Sequence, residues 1–389
     1  MKKKLLQGGA MNKSITCKAA VIYEMSAKRP YYETKPLKIK DIELDPPGFD
    51  EVLVKVSAAG LCHSDLSVIN GNRPRVMPII LGHEGSGVVE EIGEGVKSLK
   101  VGDHVVFVFV PSCGSCIACK EGRPALCDPA LVAAGKGTLL SGEKKIKLNG
   151  EYINHMVGVS CFSEYAVVSS KSLVKVTKQL PLDEAALFGC AVITGAGAVF
   201  NTANIRVGST VAVIGLGGTG LAAIMGAKAA GASKIIGIDI LQEKMDIAKQ
   251  LGAHEVFNAN DNSIIEKVRN FTNNGVNYSF ECVGSEKAME LAYKILKRGG
   301  TAVSSGLSHP DKTFSIQHVD MVAGEKTIKG SFLGSCVPDR DIPAYIDLYN
   351  SGNFPVDRLM SDHIALEEIN EGFEKLSDGI TVRQVIMFK

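Results

Sequence analysis

The stretch from residue 210 to residue 239 limits the possible fold of this chain more than any other. Residues 210–214 form a short apolar run, TVAVI, which is followed by the glycine-rich turn GLGGTG and by a helical pattern over residues 221–230. A second apolar run, residues 235–238, ends in Asp239, nineteen residues beyond Gly220. The order of strand, G-x-G-x-x-G, helix, strand and acid predicts a βαβ dinucleotide-binding unit rather than an ordinary strand–turn–helix.

This pattern also indicates which dinucleotide would bind. Glycines let backbone N–H groups and the helix N-terminus approach a pyrophosphate. Asp239 stands at the position where such folds hydrogen-bond the adenosine ribose. Its carboxylate would repel the 2′-phosphate of NADP, and no arginine follows it closely in the sequence. We therefore expect NAD rather than NADP.

Strands and helices continue to alternate as far as residue 304, which predicts a doubly wound parallel sheet. The N-terminal part has a different pattern. Val52, Val54 and Val56 alternate as in a half-buried strand, and residues 87–92 and 105–110 are also typical of strands. We expect an all-β unit there, with a loop over residues 129–160. At 389 residues, two domains are expected, and the strand-like tail at residues 381–388 could return to the first of them.

Two segments of the β-rich part carry possible metal ligands. Cys62 offers a thiolate and His83 an imidazole, which are ligand types that Zn²⁺ prefers. Asp65 and Glu84 lie close to them in the sequence and could orient a ligand or tune the metal. Cys190 is the best candidate for a third ligand, although alone it could be a buried small hydrophobic residue. Three protein ligands with one open position would form a catalytic metal site.

A second group of cysteines is compact in sequence. Its spacing is C-x2-C-x2-C-x7-C, formed by Cys113, Cys116, Cys119 and Cys127. Four thiolates within fifteen residues predict a closed structural zinc site. An iron–sulfur cluster or a redox disulfide is the alternative, but ferredoxin runs place the fourth cysteine closer and follow it with proline.

Composition excludes several classes of function. Net charge is +1, so neither nucleic-acid binding nor a polybasic membrane function is expected. No apolar run is long enough to span a membrane. The start, MKKKLLQGGA, lacks the apolar core of a signal peptide and could be a disordered extension before Met11. A soluble cytoplasmic protein is expected, whose ten cysteines favour metal binding over disulfides.

Together these motifs resemble the zinc-containing, medium-chain alcohol dehydrogenase family from Ala19 to Phe388. The similarity is carried by GLCHSD, GHEGSG, the four cysteines, Gly189-Cys190 and GLGGTG. It implies a GroES-like β-barrel catalytic domain over residues 1–190 and 335–389, with a structural zinc lobe at about 111–128. An NAD-binding Rossmann domain would occupy residues 191–334. The loop over residues 127–156 is similar to that of dimeric animal and plant members, so a homodimer is expected, with a homotetramer as the alternative.

The resemblance also implies roles for individual residues. Zinc would bind twice per chain, at the catalytic ligands Cys62, His83 and Cys190 and at the structural ligands Cys113, Cys116, Cys119 and Cys127. The implied catalytic residues are Ser64, His63 and Glu84. The implied NAD contacts are His63, Thr194, Gly215, Leu216, Gly217, Gly218, Thr219, Gly220, Asp239, Lys244, Val283, Gly306, Leu307 and Arg383. The implied substrate pocket consists of Ser64, Phe109, Met156, Val157 and Leu307.

The implied reaction is hydride transfer between an alcohol and NAD, giving an aldehyde or ketone, with zinc as Lewis acid and Ser64 as proton acceptor. Most of the implied pocket residues are apolar, so a hydrophobic primary or secondary alcohol is expected. Many members have a histidine where this chain has Ser67, so His63 or solvent would end the proton path. A glutathione-dependent formaldehyde dehydrogenase is the alternative enzyme. Zinc-free quinone reductases share the fold but need none of these ligands, and a redox sensor with only structural zinc is the non-enzyme alternative.

Overall fold

The computed structural model describes residues 13–389. The expected extension over residues 1–10 lies outside the described residues. The strands, in chain order, are β1 Ile15–Ile22, β2 Leu37–Leu44, β3 Glu51–Gly60, β4 Ile79–Ile80, β5 Gly85–Ile92, β6 His104–Phe107, β7 Ile146–Leu148, β8 Glu151–Tyr152, β9 Asn154–His155, β10 Tyr165–Ser169, β11 Leu173–Val176, β12 Thr210–Ile214, β13 Lys234–Asp239, β14 Glu255–Asn258, β15 Val276–Glu281, β16 Leu296–Ser304, β17 Thr327–Gly330, β18 Met360–Ile364 and β19 Arg383–Met387.

The α-helices of the described residues are α1 Tyr31–Thr34, α2 His63–Ile69, α3 Ile117–Lys120, α4 Asp128–Lys136, α5 Leu182–Ala186, α6 Ala191–Gly197, α7 Gly218–Ala229, α8 Gln242–Leu251, α9 Ile264–Thr272, α10 Glu286–Lys294, α11 His318–Ala323, α12 Pro338–Asn350 and α13 Ile369–Ser377. The longest of them, α7, α8 and α12, lie in the second half of the chain.

The expected parallel sheet is confirmed. Its strand order is β14-β13-β12-β15-β16-β17, and each neighbouring pair is parallel. β12 lies in the middle of this sheet, so its residues are almost all buried between the helices on the two faces. The glycine-rich turn follows this central strand, so it lies at the carboxyl edge of the sheet, where such folds bind ligands.

The β-rich part forms two further sheets. One has the order β8-β7-β2-β1-β4-β9, and the other has β11-β6-β5-β3-β19-β18 with β10 also paired to β3. β19 runs antiparallel to β3, from Val385 opposite Gly60, which confirms that the tail returns to the first part of the chain. The third sheet lies within residues 210–330, in agreement with an inserted 191–334 unit, although its bounds stay a prediction.

Three local predictions are wrong. Residues 129–160 contain α4 and β7 to β9 rather than only a loop. Gly137 at the end of α4 has φ +67°, and its missing side chain leaves room for Asn154. β6 ends at Phe107 instead of continuing to Val110, and the β-rich part also contains α2. These segments are too short for apolar periodicity to show their type.

No single helix within residues 13–389 has the length and apolar composition needed to cross a membrane. Only a bent pair, Leu182–Gly189 with Ala191–Ala203, meets the two criteria together.

Candidate active site

Three segments far apart in sequence bring Cys62, His83 and Cys190 together. Cys62 lies between β3 and α2, His83 lies between β4 and β5, and Cys190 directly precedes α6. The Cys62 and Cys190 sulfurs are 4.0 Å apart, and the Cys190 sulfur is 3.3 Å from Nε2 of His83. All three ligand atoms lie within 4.8 Å of one another, and all three residues are buried. Two sulfurs and an imidazole at this spacing fit a zinc ion.

The imidazole of His83 is oriented by a buried carboxylate. Oδ1 of Asp65 lies 3.1 Å from Nδ1 of His83 and accepts the Gly82 N–H at 3.0 Å. With Nδ1 engaged, Nε2 faces the sulfurs, which is the arrangement that fixes a metal-binding histidine. Asp65 therefore lies where the sequence placed it, beside the cluster.

Glu84 and Arg383 form the layer next to the cluster. Nε of Arg383 is 3.1 Å from Oε1 of Glu84, and Nη2 donates to the Cys62 sulfur at 3.7 Å. The Ala191 N–H donates to Oε2 of Glu84 at 3.2 Å. Burial raises the pKa of Glu84 to about 7, although the Arg383 charge opposes that rise. This pair holds β19 against both cysteine segments.

The four-cysteine lobe is a separate cluster nearer the surface. The sulfurs of Cys113, Cys116, Cys119 and Cys127 all lie within 4.8 Å of one another. The N–H groups of Ser115 and Cys116 donate to the Cys113 sulfur, and the Ser115 bonds lower the pKa of Cys113 to about 6. Four converging sulfurs with backbone donors fit a closed zinc site.

A cavity of about 580 Å³ opens beside His83 and Ser64. Its size is that of a small-molecule site. The ring of Phe109 meets His83 edge-on at 5.3 Å and Phe332 at 6.1 Å. The lining residues are Ser64, Arg73, Arg75, His83, Phe109, Val110, Ala125, Leu126, Cys127, Asp128, Ala130, Leu131, Ala134, Gly135, Met156, Val157, Leu307 and Phe332. All five sequence-predicted pocket residues are therefore among them.

The cavity also contains charged residues that the sequence analysis missed. Arg73 and Arg75 lie in the loop between α2 and β4, and Asp128 begins α4. The signal was present in Arg73-Pro-Arg75, which stands between the segments that carry Cys62 and His83. The expectation of a cavity with almost only apolar walls is thus incomplete.

The glycine-rich turn fits a dinucleotide. A Cβ on Gly220 would lie 1.8 Å from the Gly215 carbonyl oxygen, so only glycine lets α7 start so close to β12. A Cβ on Gly217 would meet nothing within 4 Å, so the turn is open at that point. Asp239 accepts the Leu216 N–H at 2.7 Å, which places its carboxylate at the edge of the turn.

The other residues that were predicted to contact the cofactor lie in several segments near the glycine-rich turn. Val283 packs on Gly215, and the guanidinium of Arg383 lies against Gly218. Gly306 and Leu307 lie against Gly284, in the segment after Val283. Gly195 packs on the Thr219 carbonyl and so brings its neighbour Thr194 near the turn. Desolvation lowers the pKa of both His63 and Lys244, and the nearby charge of Arg383 lowers both pKa values further.

One predicted contact is restricted by the structure. Leu216 is fully buried, its side chain packs toward Gly237, and its N–H already donates to Asp239. Its side chain cannot face a cofactor on the open side of the turn. The identity of Leu216 is therefore explained by core packing.

Comparisons with known proteins agree with this geometry. Residues 48–178 match the alcohol dehydrogenase GroES-like domain, and residues 218–351 match the zinc-binding dehydrogenase domain. The chain is 38% identical to alcohol dehydrogenase class-3 of Drosophila melanogaster, over 97% of this chain and 98% of that protein.

Two solved structures share the whole architecture. Benzyl alcohol dehydrogenase from Acinetobacter calcoaceticus has a TM-score of 0.90 at 34% identity, with 96% of this chain and 100% of that chain covered. An alcohol dehydrogenase zinc-binding domain protein from Burkholderia ambifaria has a TM-score of 0.91 at 34% identity, covering 97% and 100%. The chain therefore belongs to the zinc-dependent medium-chain alcohol dehydrogenase family and is an NAD-dependent oxidoreductase.

Proposed function

We propose that this protein interconverts primary or secondary alcohols and their aldehydes or ketones at the cavity beside His83, with NAD as hydride acceptor or donor. The observation that carries this proposal is the convergence of Cys62, His83 and Cys190 beside a mainly apolar cavity that His83 lines. These three residues would hold a catalytic zinc, and the four cysteines of the lobe would hold a second, structural zinc. The chain would thus bind two zinc ions.

The bound groups supply the chemistry that side chains cannot. When bound, zinc would supply Lewis acidity toward the alcohol oxygen and NAD would supply the hydride acceptor. The protein supplies position: Asp65 orients His83, and the pair of Glu84 and Arg383 fixes the Cys62 and Cys190 segments relative to β19.

The alcohol proton would leave through Ser64. Its side chain lines the cavity two residues after Cys62 in sequence, so its hydroxyl can accept the proton of a bound alcohol. Ser67 does not extend this path, because its hydroxyl donates to the His63 carbonyl at 2.8 Å. His63 is exposed at the start of α2, so it can pass the proton to solvent.

The cofactor would extend along the carboxyl edge of the parallel sheet. Asp239, with Lys244 nearby, would bind the adenosine ribose, and α7 would present its N-terminus to the pyrophosphate. Arg383 would contact phosphate from β19, since its guanidinium lies against Gly218. Val283 and Leu307 are each 55% exposed and would cover the nicotinamide end.

We further propose a homodimer, with a homotetramer as the alternative. β17 ends the parallel sheet, and three of its four residues are exposed. An exposed edge strand can pair with a second chain. A mass of two chains in light scattering would support the proposal, and a monomer would contradict it. We place the protein in the cytoplasm, where its ten free cysteines would stay reduced.

A second candidate activity uses the same site. The S-hydroxymethyl adduct of glutathione is an alcohol with carboxylates, and Arg73 and Arg75 in the cavity favour an anionic substrate. Oxidation of formaldehyde that requires glutathione would support this activity. Equal rates with and without glutathione would exclude it.

The proposed function is tested by following NADH absorbance with a panel of alcohols. Straight-chain, secondary and aromatic alcohols should give NADH with the zinc-loaded protein, and removal of zinc should stop the reaction. Zinc-independent turnover, or no turnover with any alcohol or aldehyde, would overturn the proposal.

A further inference from the structure

Two arginines line the substrate cavity. Arg73 and Arg75 share it with apolar residues such as Met156 and Leu131. Their backbone is anchored, because the Arg73 N–H donates to the Ser67 carbonyl at 2.8 Å and the Arg75 N–H donates to the Met25 sulfur at 3.3 Å. The two guanidinium groups are therefore held at the cavity by the loop that follows α2.

Neither guanidinium makes an ion pair within residues 13–389. Nε of Arg75 is buried without a hydrogen-bond partner. Burial lowers the pKa of Arg75, and the charge of Arg73 lowers it further, while Asp65 opposes both effects. The carboxylate of Asp65 is already bound to His83 and Gly82. Asp128 also lines the cavity, but it is exposed and pairs with neither arginine.

Two like charges at a partly buried site are unfavourable unless an anion offsets them. A guanidinium binds a carboxylate through two parallel N–H bonds, so a carboxylate is the anion that this pair suits best. Most of the other lining residues are apolar, and His83, which belongs to the cluster of three metal ligands, also lines the cavity. A matching ligand has a hydroxyl at one end, an apolar body and a carboxylate at the other.

We infer that Arg73 and Arg75 form a carboxylate-binding subsite that selects hydroxy acids, or the corresponding aldehyde acids, over neutral alcohols. This inference rests on the proposed function, because the hydroxyl end is placed at the zinc ligands. Free hydroxy acids and the S-hydroxymethyl adduct of glutathione both carry the required carboxylate. The test separates these two sources.

The test compares two alcohols that differ only in the carboxylate, benzyl alcohol and 4-(hydroxymethyl)benzoate, with saturating NAD. We expect the hydroxy acid to have a kcat/KM about 10- to 100-fold higher, the range expected for hydrogen bonds between charged groups. The preference should shrink as NaCl is added, because salt screens the attraction. Formaldehyde with glutathione is the third arm, and a higher kcat/KM there than for the hydroxy acid would identify the adduct as the source.

Variants show whether the arginines cause the preference. Arg75→Met and Arg73→Met should each remove most of the preference, measured as the ratio of the two kcat/KM values within the same variant. Arg75→Lys should retain part of the preference that Arg75→Met loses, since lysine keeps the charge but cannot donate two parallel N–H bonds to a carboxylate. Arg358→Met is the matched control, because Arg358 is exposed in the segment Val356–Leu359 and should leave the preference unchanged.

Calorimetric binding to the enzyme–NADH complex gives a readout that does not depend on turnover. The subsite is supported if 4-(hydroxymethyl)benzoate binds more tightly than benzyl alcohol and Arg75→Met loses this difference. If the difference is present but no alcohol is oxidised, only the proposed function fails. Equal affinity for both compounds in the wild type overturns the inference. Equal weakening of both compounds in Arg75→Met also overturns it, since the arginine would then only support the fold.

Discussion

The two cysteine clusters are assembled over very different lengths of chain. The lobe collects four sulfurs from fifteen residues, and neighbouring backbone N–H groups donate to them. The inner cluster collects two sulfurs and one imidazole from residues up to 128 positions apart. Three separate segments must meet before the inner cluster exists, so it depends on the whole fold, whereas the four sulfurs of the lobe come from one local segment.

The surroundings of the clusters differ as well. The lobe already presents four sulfurs, which complete a tetrahedral site and leave no position for a substrate. The inner cluster presents three ligands beside a cavity and is supported by Asp65, Glu84 and Arg383. The difference indicates that the lobe supports stability and the inner cluster supports chemistry. Substitutions in the two clusters should therefore have opposite effects on turnover and stability.

The largest loss of turnover is expected for Cys62→Ser. A serine hydroxyl is a poor zinc ligand at neutral pH, so the loss should exceed the roughly 100-fold cost of losing a group that only orients a ligand. NADH production measures the rate. NADH binding serves as the control and should be retained, whereas wild-type turnover would remove Cys62 from the site.

Ser64→Ala should lower kcat by roughly 10²- to 10⁴-fold, the usual contribution of a proton-transfer group. Zinc content should not change. Ser67→Ala is the matched control, because the Ser67 hydroxyl is engaged by the His63 carbonyl, and its kcat should stay near the wild-type value. Equal rates in the two variants would contradict the proton path through Ser64.

Asp65→Asn should weaken zinc binding at the inner cluster by about 10- to 100-fold, because His83 loses the carboxylate that orients it. The lobe should keep its zinc. Titration with a chelator while activity is followed measures this affinity. Asp103→Asn is the control, since Asp103 is buried but pairs with Lys175 instead. Identical chelator sensitivity in both variants would contradict the role of Asp65 in zinc binding.

The smallest effect on turnover is expected for Cys119→Ser in the lobe. The folded enzyme should retain a kcat close to that of the wild type, while Tm should fall by several degrees or more, because a structural zinc contributes folding free energy. Thermal unfolding monitored by circular dichroism gives Tm. A loss of kcat without a loss of Tm would reverse the roles assigned to the two clusters.

The same difference in the sequence separation of the ligands explains what the sequence could predict. The lobe and the glycine-rich turn are local patterns, so their residue types and spacing were sufficient. The inner cluster needed the resemblance to a known family, because nothing in the sequence alone brings Cys190 to Cys62. The parallel sheet was also predictable, since its strands and helices are long enough to show their periods.

What the sequence could not show falls where tertiary contacts decide the outcome. α4 runs from Asp128 to Lys136 with few buried residues, so its sequence shows no strong apolar period. The resemblance implied a cofactor contact at Leu216, which stays a prediction; because its side chain faces the core, only its backbone could make that contact. Arg73 and Arg75 received no role from the sequence, because only the folded loop places them at the cavity.

The most direct test of the account is to locate zinc in the wild type, Cys62→Ser and Cys119→Ser by anomalous X-ray scattering at the zinc edge, with activity measured on the same samples. The account predicts zinc at both clusters in the wild type, only at the lobe in inactive Cys62→Ser, and at the inner cluster in active Cys119→Ser. A fully active preparation with zinc only in the lobe would contradict it.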